Sequence, residues 1–340
     1  SQNSGAQSLS CADLPVIITQ VYQTISGDNA IELTNIGATT VTNIRVALFK
    51  DIGAASPNGI SPTASIIVPS LAASSSVLIK SVATITGATI INTPTEIVDT
   101  SITDISGGDD TIILSTTTNT SAWANRYDVV SDITDESSLV RIDEVTEGNT
   151  TYTTSEWMPF VDDNISIVGD ADPIPSITRH ANAPLLSEVK TPNSQANNGL
   201  GLHRINPTIR ISSTWSNGFP DKSRKVIIQE DYEHTGSNLG SRLLDVQGSN
   251  KLSINDEALI VVNTVNIDTD AEIRILGTAQ FVQVHEGFSQ VTGSGKLLIS
   301  QKSELPNVYR YNYWSSPVVE VTGGNKYRVE KVMKDAGGNL

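Results

Sequence analysis

The chain has few of the residues that form crosslinks, span membranes or bind nucleic acids. Cys11 is the single cysteine among 340 residues, so no internal disulfide can form. No apolar stretch is long enough for a membrane helix, and we expect any signal peptide to be absent from this chain. Basic residues are scarce, since 22 Lys and Arg stand against 37 Asp and Glu, for a net charge of -15. This charge excludes a nucleic-acid partner and disfavours attraction to anionic lipid, and we expect no membrane insertion.

The abundant residues are those of β-structure and turns. Ser, Thr, Asn and Gly dominate the polar residues, and at this length we expect two domains rather than one. Residues 1–13 are small and polar without an apolar period, which predicts a flexible tail. From Pro15 short alternating segments recur with turn residues between them, which predicts an all-β chain that opens with an antiparallel sandwich. The predicted strands are 16–22, 30–34, 43–49, 65–69, 76–80, 110–115 and 127–130.

Several of these segments resemble, in order and spacing, the lamin-tail domain, which is an immunoglobulin-like β-sandwich. The matching residues are Ile31–Gly37, Gly107–Leu114, Tyr127–Val130, and the end from Ser138–Arg141 to Glu156–Trp157. The resemblance covers about residues 14–163, and we assign residues 14–164 to this domain. The segment Ser81–Ser101 is longer than the family pattern, which leaves the strand register there open. The resemblance implies an accessory or interaction module of secreted bacterial proteins and carries over no catalytic residue.

The composition changes after the predicted sandwich. Residues 162–173 are acidic and turn-rich, and Asn193–Gly199 is a cluster of Asn, Gly and other polar residues. We assign residues 165–205 to a linker, part of which lies along one of the domains because it contains apolar residues such as Leu185. Residues 206–340 form the second domain. The chain stops on flexible residues without a finished strand, so we expect the parent protein to continue beyond Leu340.

Pairs of apolar residues at alternate positions recur in the second domain. They are Leu252/Ile254, Ile273/Ile275 and Leu297/Ile299, with a first step of 21 residues and a second step of 24. Alternation is the strand period, and a recurrence near twenty residues suits one turn of a β-solenoid. The sequence therefore predicts a short parallel β-solenoid-like region, with a second β-sandwich as the alternative.

Two further features belong to this predicted solenoid. The residues after each apolar pair align at a step of 21, which matches Ala258 with Ala279 and Val261 with Val282. A solenoid must be capped because its end strands are otherwise unpaired edges, and we expect Trp215 and Phe219 to plug the open end.

The second half also resembles surface and secreted proteins of the Bacteroidetes that are exported by the type IX secretion system. The segments that carry the resemblance are Trp215–Asp221, Val226–Tyr232, Ile267–Gly277, Val291–Ser300 and Tyr309–Pro317. The resemblance implies an extracellular protein attached to the outer cell surface and a C-terminal sorting domain. We expect partners in the secretion machinery or among other cell-surface proteins, with glycans as a further candidate partner. No sorting domain is visible before Leu340, which fits a truncated chain.

Calcium is the metal that the acidic loops favour, because it prefers clustered hard oxygen ligands. The candidate ligands are Asp109, Asp110, Asp170 and Asp172, and a further loop carries Asp268 and Asp270. None of these loops completes an EF-hand, and Asp also favours turns by bonding its own backbone. We predict no other cofactor.

Other chemical signals are few. The four histidines, His180, His203, His234 and His285, lack the spacing of a zinc site, and Gly293-Ser294-Gly295 is too short for a nucleophile elbow and predicts a turn. Asp110–Ile112 resembles the short acceptor pattern for O-glycosylation in Bacteroidetes, which makes Thr111 a candidate. The aromatic residues that could stack on a sugar are Trp123, Trp157, Trp215, Tyr313 and Trp314. For Trp157 and Trp314 we favour packing in the core.

These observations predict a non-enzymatic secreted or cell-surface protein of structural or adhesin type, exported by type IX secretion. We predict no catalytic residues. The alternative is a carbohydrate-binding or polysaccharide-degrading secreted protein whose catalytic part is absent or unrecognised, since paired carboxylates cannot be located from sequence spacing. An open cleft with two carboxylates and an exposed aromatic platform would favour the enzyme, whereas filled interiors would favour the structural protein.

Overall fold

The structure is a computed structural model that describes residues 14–24, 26–52, 56–106, 108–116, 122–133, 137–161, 199–284 and 289–300. The predicted tail 1–13 and most of the predicted linker therefore lie outside the described residues. An all-β chain was predicted, and it is confirmed: a β-sandwich is followed by a β-solenoid. Short 3₁₀ turns occur at Trp123–Asn125 and Thr154–Glu156.

In the part of the sandwich that the structure describes there are ten strands. They are β1 (Val16–Gln23), β2 (Asn29–Asn35), β3 (Val41–Phe49), β4 (Ala64–Leu71), β5 (Ser76–Lys80), β6 (Thr95–Val98), β7 (Asp110–Ser115), β8 (Arg126–Ile133), β9 (Ser137–Arg141) and β10 (Trp157–Val161). The first sheet has the order β10-β9-β1-β2-β5-β6, and the second has the order β4-β3-β7-β8. All seven strands predicted from the alternating pattern are present.

The core of the sandwich lies between these two sheets. Side chains such as Ile18 and Leu33 of the first sheet meet Val46 and Leu114 of the second, and all four are 0% exposed. Every residue of β1 and β2 is buried, which differs from the one-sided burial of an ordinary antiparallel sheet. The outer face of the first sheet is therefore covered as well.

The prediction of a purely antiparallel sandwich is wrong at one strand. β6 pairs with β5 in parallel, with Val77 opposite Thr95 and Lys80 opposite Val98. Parallel neighbours need a crossover connection of about a dozen or more residues, because the chain must return to its starting edge. Residues 81–94 supply that connection, and they lie in the segment 81–101 whose strand register the sequence left open.

Within the described residues, thirteen strands belong to the second domain. They are β11 (Thr208–Ile211), β12 (Thr214–Trp215), β13 (Lys225–Ile228), β14 (Tyr232–His234), β15 (Leu239–Ser241), β16 (Leu243–Val246), β17 (Lys251–Asn255), β18 (Ala258–Val261), β19 (Val265–Ile267), β20 (Glu272–Leu276), β21 (Gln280–Gln283), β22 (Val291–Gly293) and β23 (Lys296–Ile299). They form three sheets, with orders β12-β11-β13-β16-β19-β22, β14-β17-β20-β23 and β15-β18-β21. Apart from the β11–β12 hairpin, all pairs in these sheets are parallel. A second sandwich is thereby excluded.

The repeat that the sequence shows is the stacking of successive turns. Leu252 pairs with Ile273 and then Leu297, while Ile254 pairs with Ile275 and then Ile299. The four side chains of the first two turns are at most 1% exposed and belong to one core cluster. The predicted steps of 21 and 24 residues are confirmed on this face.

The predicted alignment of the following residues is wrong by one position. Ala258 pairs with Gln280 rather than Ala279, and Val261 pairs with Gln283. The corner after β20 holds Gly277, Thr278 and Ala279, whereas the corner after β17 holds only Asp256 and Glu257. Because a one-residue shift reverses which side chains face inward, the structure pairs Leu259 with Phe281 at the core.

The N-terminal end of the solenoid is closed by aromatic rings, as predicted. Trp215 lies on β12, which pairs with β11 at the edge of the first solenoid sheet. Its ring meets Phe219 at 6.0 Å and Tyr232 at 5.4 Å, both edge to face. Trp215 and Phe219 pack against the solenoid core.

Candidate functional site

The most elaborate polar arrangement among the described residues lies where the sandwich meets the solenoid. The apolar part of this contact covers the outer face of the first sandwich sheet. Leu200 is 0% exposed and packs in one cluster with Tyr22, Met158 and Phe160 of the sandwich. Val262, which follows solenoid strand β18, packs against the same cluster. Residues 199–202, assigned from the sequence to the linker, thus lie on the sandwich.

Asp143 is the centre of the polar part. It follows β9 in the sandwich and is 0% exposed. Its carboxylate lies 2.8 Å from Nη2 of Arg242 and 3.4 Å from Nε of Arg224, and both arginines belong to the solenoid. The backbone N–H of Lys225 also donates to this carboxylate at 2.9 Å. Removal of these charges from water is costly unless each is paired, and here the pairing crosses the domain boundary.

Glu144 extends the contact toward solvent. Its carboxylate lies 3.2 Å from Arg242 and 3.3 Å from Nζ of Lys225, and its side chain is 39% exposed. Burial alone would raise the pKa of Glu144, but the attraction of Arg242 and the bond from Lys225 together lower it below its ordinary value. Glu144 therefore stays ionised and paired at neutral pH.

The backbone on both sides of the interface is also bonded. The N–H of Asn206 donates to the carbonyl of Asp143 at 2.6 Å, and the carbonyl of Asn206 accepts from Arg224 at 2.8 Å. Arg242 reaches the carbonyl of Ser223 at 3.3 Å. Since a planar guanidinium holds several partners in fixed directions, the carbonyls of Asn206 and Ser223 orient the two arginines toward Asp143.

A second buried ion pair lies just behind Asp143 in the sandwich. Arg141 at the end of β9 and Asp128 on β8 are both 0% exposed and 3.1 Å apart. Arg141 also bonds Glu156 at 2.6 Å and lies 4.7 Å from the centre of the Trp157 ring. Burial raises the pKa of Asp128 despite the attraction of Arg141.

His203 lies near both arginine systems and carries no charge. It is 6% exposed. Burial, with added repulsion from Arg224 and Arg141, lowers the pKa of His203 to about 3. The imidazole is therefore neutral at every physiological pH, and it adds no further positive charge beside Arg224, Lys225 and Arg242.

This arrangement is suited to holding two domains together. Asp143 and Glu144 each bond cations, and Asp143 is closed off from solvent. Breaking such a buried pair by removing one partner costs about 3–5 kcal/mol. Separating the two domains while these charges stay buried and unpaired is therefore strongly unfavourable. We call the set Asp143, Glu144, Arg224, Lys225 and Arg242 the interdomain clamp.

The sequence carried no signal for this clamp. Asp143 is separated from Arg224 by 81 residues and from Arg242 by 99 residues. Both arginines stand beside ordinary polar residues, and neither belongs to a motif. A surface position was the natural expectation for each of them.

Of the predicted calcium ligands, Asp109 precedes β7 and Asp110 is its first residue. Asp110 is 0% exposed, and its carboxylate accepts the backbone N–H groups of Asp51 at 3.1 Å and Ser106 at 3.0 Å. Its role in the structure is thus to fix a loop. Within the described ranges, no three His, Cys, Asp or Glu side chains come together as a metal site. Asp170 and Asp172 lie outside the described residues.

The other predicted positions also take structural roles. Thr111 is 1% exposed and bonds Ser131 at 2.9 Å, so a glycosyltransferase would have no access to it in the folded sandwich. Asp268 accepts the N–H of Gly248 at 2.8 Å on the neighbouring turn. Gly293 and Gly295 lie at a corner as predicted, where an added Cβ would meet the backbone of the preceding turn at 2.0 and 2.3 Å.

The aromatic side chains that could form a sugar platform pack onto the protein. Trp157 is 5% exposed, as predicted. Trp123 is half-buried, with the guanidinium of Arg126 lying 3.8 Å from its ring centre. Among residues that the structure describes, no tryptophan is exposed. Tyr313 and Trp314 lie outside this part of the chain, as do His180 and His285.

His234 belongs to the aromatic cap. It is 3% exposed, its Nδ1 lies 2.9 Å from the hydroxyl of Tyr232, and its Nε2 lies 2.7 Å from the carbonyl of Ser237. Because the carbonyl can only accept, Nε2 carries the proton and Nδ1 accepts from Tyr232. Burial lowers the pKa of His234, which agrees with a neutral ring in a structural position.

One comparison with known proteins gives a match. Residues 210–333 are similar to a protein family described as a domain of unknown function, DUF8693. The match begins within β11 and covers the described turns of the solenoid. No curated protein and no solved structure matches the chain. In the described part of the chain, no helix has the length and apolar character needed to cross a bilayer.

Proposed function

We propose that this chain is a non-enzymatic structural module of a secreted, cell-surface protein. The observation that carries the proposal is the interdomain clamp. Asp143 and Arg224 are both 0% exposed, and Arg242 is nearly so. Because one buried carboxylate of the sandwich bonds two arginines of the solenoid, the clamp restrains the relative motion that ordinary domain contacts within a chain permit.

The location and partners follow from the sequence resemblances. The similarity of Trp215–Asp221 and related segments to type IX secretion substrates supports an extracellular protein attached to the outer cell surface. The partners would be the secretion machinery or other cell-surface proteins, and the lamin-tail-like sandwich would be the interaction module. In this role the solenoid acts as a stiff spacer, and the sandwich extends it.

The enzymatic alternative has less support. It requires paired carboxylates in an open site, but Asp143, Glu144 and Asp128 are bonded to arginines. A glycan-binding role requires an aromatic ring free to stack, and the three tryptophans within the described residues contact protein groups.

A distance measurement tests the rigidity on which the proposal depends. Spin labels would be attached to a Ser70→Cys and a Gln280→Cys substitution, both at exposed positions, in a chain carrying Cys11→Ser. A single narrow distribution of label distances is expected, and it should broaden when Asp143→Asn is added. A broad distribution in the parent chain would contradict the rigid module.

Surface labelling tests the location separately. Intact source cells would be treated with a membrane-impermeant amine reagent, and the modified chain would be identified by mass spectrometry after lysis. We expect its lysines to be labelled without lysis, together with those of any co-purifying surface partner. Labelling only after lysis would refute the cell-surface assignment and leave the rigidity result standing.

A further inference from the structure

A buried carboxyl group lies beneath the segment that joins the sandwich to the solenoid. We call residues 199–202 the strap. Glu32 of β2 points from the outer face of the first sandwich sheet, yet it is 1% exposed. Its Oε2 accepts the backbone N–H of Gly201 at 2.6 Å, so the carboxyl group bonds the strap directly.

The strap fits closely over this position. Leu200 pairs with Ile90, and its carbonyl accepts the N–H of Ile91 at 2.8 Å. Gly201 has a φ of 99°, and a Cβ there would lie 2.4 Å from the carbonyl oxygen of Ile91. A close backbone approach of this kind leaves no space for solvent to reach Glu32 while the strap is seated.

A row of hydroxyl groups continues from Glu32 across three strands. The Thr19 hydroxyl lies 2.6 Å from Oε1 of Glu32 and 2.9 Å from the Thr34 hydroxyl, which lies 2.9 Å from the Ser76 hydroxyl. When Glu32 is ionised, each hydroxyl donates toward it. When Glu32 is protonated, its O–H donates to Thr19 and the direction of donation along the row reverses. Both protonation states therefore keep the hydrogen bonds of the row. Only the ionised state leaves a negative charge buried without a cation beside it.

Charged groups on the neighbouring elements have their own partners or carry no charge. Lys80 of β5 bonds Glu96 of β6 at 2.5 Å, and Arg141 of β9 bonds Asp128. His203, which follows the strap, is neutral for the reason given above. The crossover 81–94 contains no ionisable side chain. Burial is the main influence on Glu32 and raises its pKa from 4.5 to about 7, although the bonds from Thr19 and Gly201 oppose the shift.

We propose that Glu32, with the Thr19–Thr34–Ser76 row, is a proton-sensitive latch that seats the strap when protonated and releases it when ionised. Release lets water reach the carboxylate, as it could not in the seated state. The strap leads into the solenoid, so the latch makes the junction of the two domains responsive to pH. This property is separate from the cell-surface function proposed above.

The sign of the effect follows from linkage. The seated state retains a proton that the open state loses, so opening becomes more favourable as pH rises from about 4.5 to about 7. The opening equilibrium constant should increase about tenfold per pH unit in this window and then level off. Below the window both states are protonated, and opening does not depend on pH through this group.

Hydrogen exchange at the strap tests the latch. Protection factors of the Gly201 and Ile91 amides, corrected for the intrinsic pH dependence of exchange, would be measured from about pH 4.5 to about pH 8. We expect the protection factors of both amides to fall about tenfold per pH unit up to about pH 7. The amide of Lys296, which bonds Ala271 inside the solenoid, serves as the internal reference. An equal fall at Lys296 would mean global unfolding and would overturn the proposal.

Two variants isolate the carboxyl group. Glu32→Gln keeps an acceptor for Gly201 and cannot ionise, so its strap protection should be independent of pH. Glu147→Gln removes an exposed carboxylate of the same domain and should retain the wild-type slope. An unchanged slope in Glu32→Gln would overturn the latch. Should that variant not fold, a carbon-13 titration of the Glu32 carboxyl in the unmodified chain tests the latch instead. A titration midpoint below about 5 would also overturn the latch.

Discussion

Replacement of Asp143 by asparagine removes the charge that holds both interface arginines. The change in size is negligible, because the amide is nearly isosteric with the carboxylate. The amide oxygen still accepts the N–H of Lys225, which bonds Asp143 at 2.9 Å in the unmodified chain. Arg224 would keep the carbonyl of Asn206, and Arg242 would keep Glu144, but Arg224 would lose its carboxylate contact. Loss of one partner of a buried ion pair costs about 3–5 kcal/mol. We therefore expect the free energy of unfolding to fall by about that amount.

Urea denaturation followed by tryptophan fluorescence and circular dichroism measures this loss. Glu144→Gln is the matched control, because it removes a neighbouring carboxylate that is 39% exposed and bonds the same Arg242. A partly exposed pair contributes about 0–1 kcal/mol, so this control should change little. We also expect Asp143→Asn to separate one transition into two, since the sandwich and solenoid lose their coupling. An effect of Asp143→Asn no larger than that of Glu144→Gln would refute the clamp.

Two further predictions concern the core and a buried loop carboxylate. Ile273→Ala should destabilise the solenoid by about 2–5 kcal/mol, because Ile273 is 0% exposed between Leu252 and Leu297, whereas Arg274→Ala on the same strand should change stability by about 0.5 kcal/mol or less. Thermal unfolding compares the two, and equal losses would contradict the inward register of β20. Burial raises the pKa of Asp110 from 3.8 to about 6, against its bonds from Asp51 and Ser106. The folded state thus keeps a proton that the unfolded state loses, so this group lowers stability as pH rises from about 4 to about 6. Asp110→Asn should flatten that part of the stability curve, and an unaltered pH dependence would refute the shift.

The strand period of the sequence was enough to predict much of the fold. Segments such as Val16–Tyr22 became strands at the predicted places, because their apolar side chains must leave water whatever the partner strand is, and in β1 both faces are buried. The recurrence of Leu252/Ile254 at Ile273/Ile275 predicted parallel stacking for the same reason, since equivalent residues of successive turns lie above one another. The aromatic plug at Trp215 followed from the need to cover an open end.

Register at corners required the tertiary structure. Ala258 and Ala279 align by residue type, but the extra residue in the corner at Gly277 shifts the true partner to Gln280. The number of residues in a corner cannot be predicted from the local sequence, because it depends on how the chain packs against the preceding turn of the solenoid. The parallel pairing of β6 with β5 was equally hidden, since chain direction depends on how residues 81–94 cross the sheet.

The sequence by itself determined an acidic all-β chain with alternating strands and a repeat near twenty residues. Only the tertiary structure brought Asp143 to Arg224 and Arg242, and laid Gly201 over Glu32. The physical reason is the range of the forces involved. Hydrophobic periodicity is a local property that each segment carries with it, whereas a buried charge is stable only beside a partner that the folded chain delivers from far along the sequence.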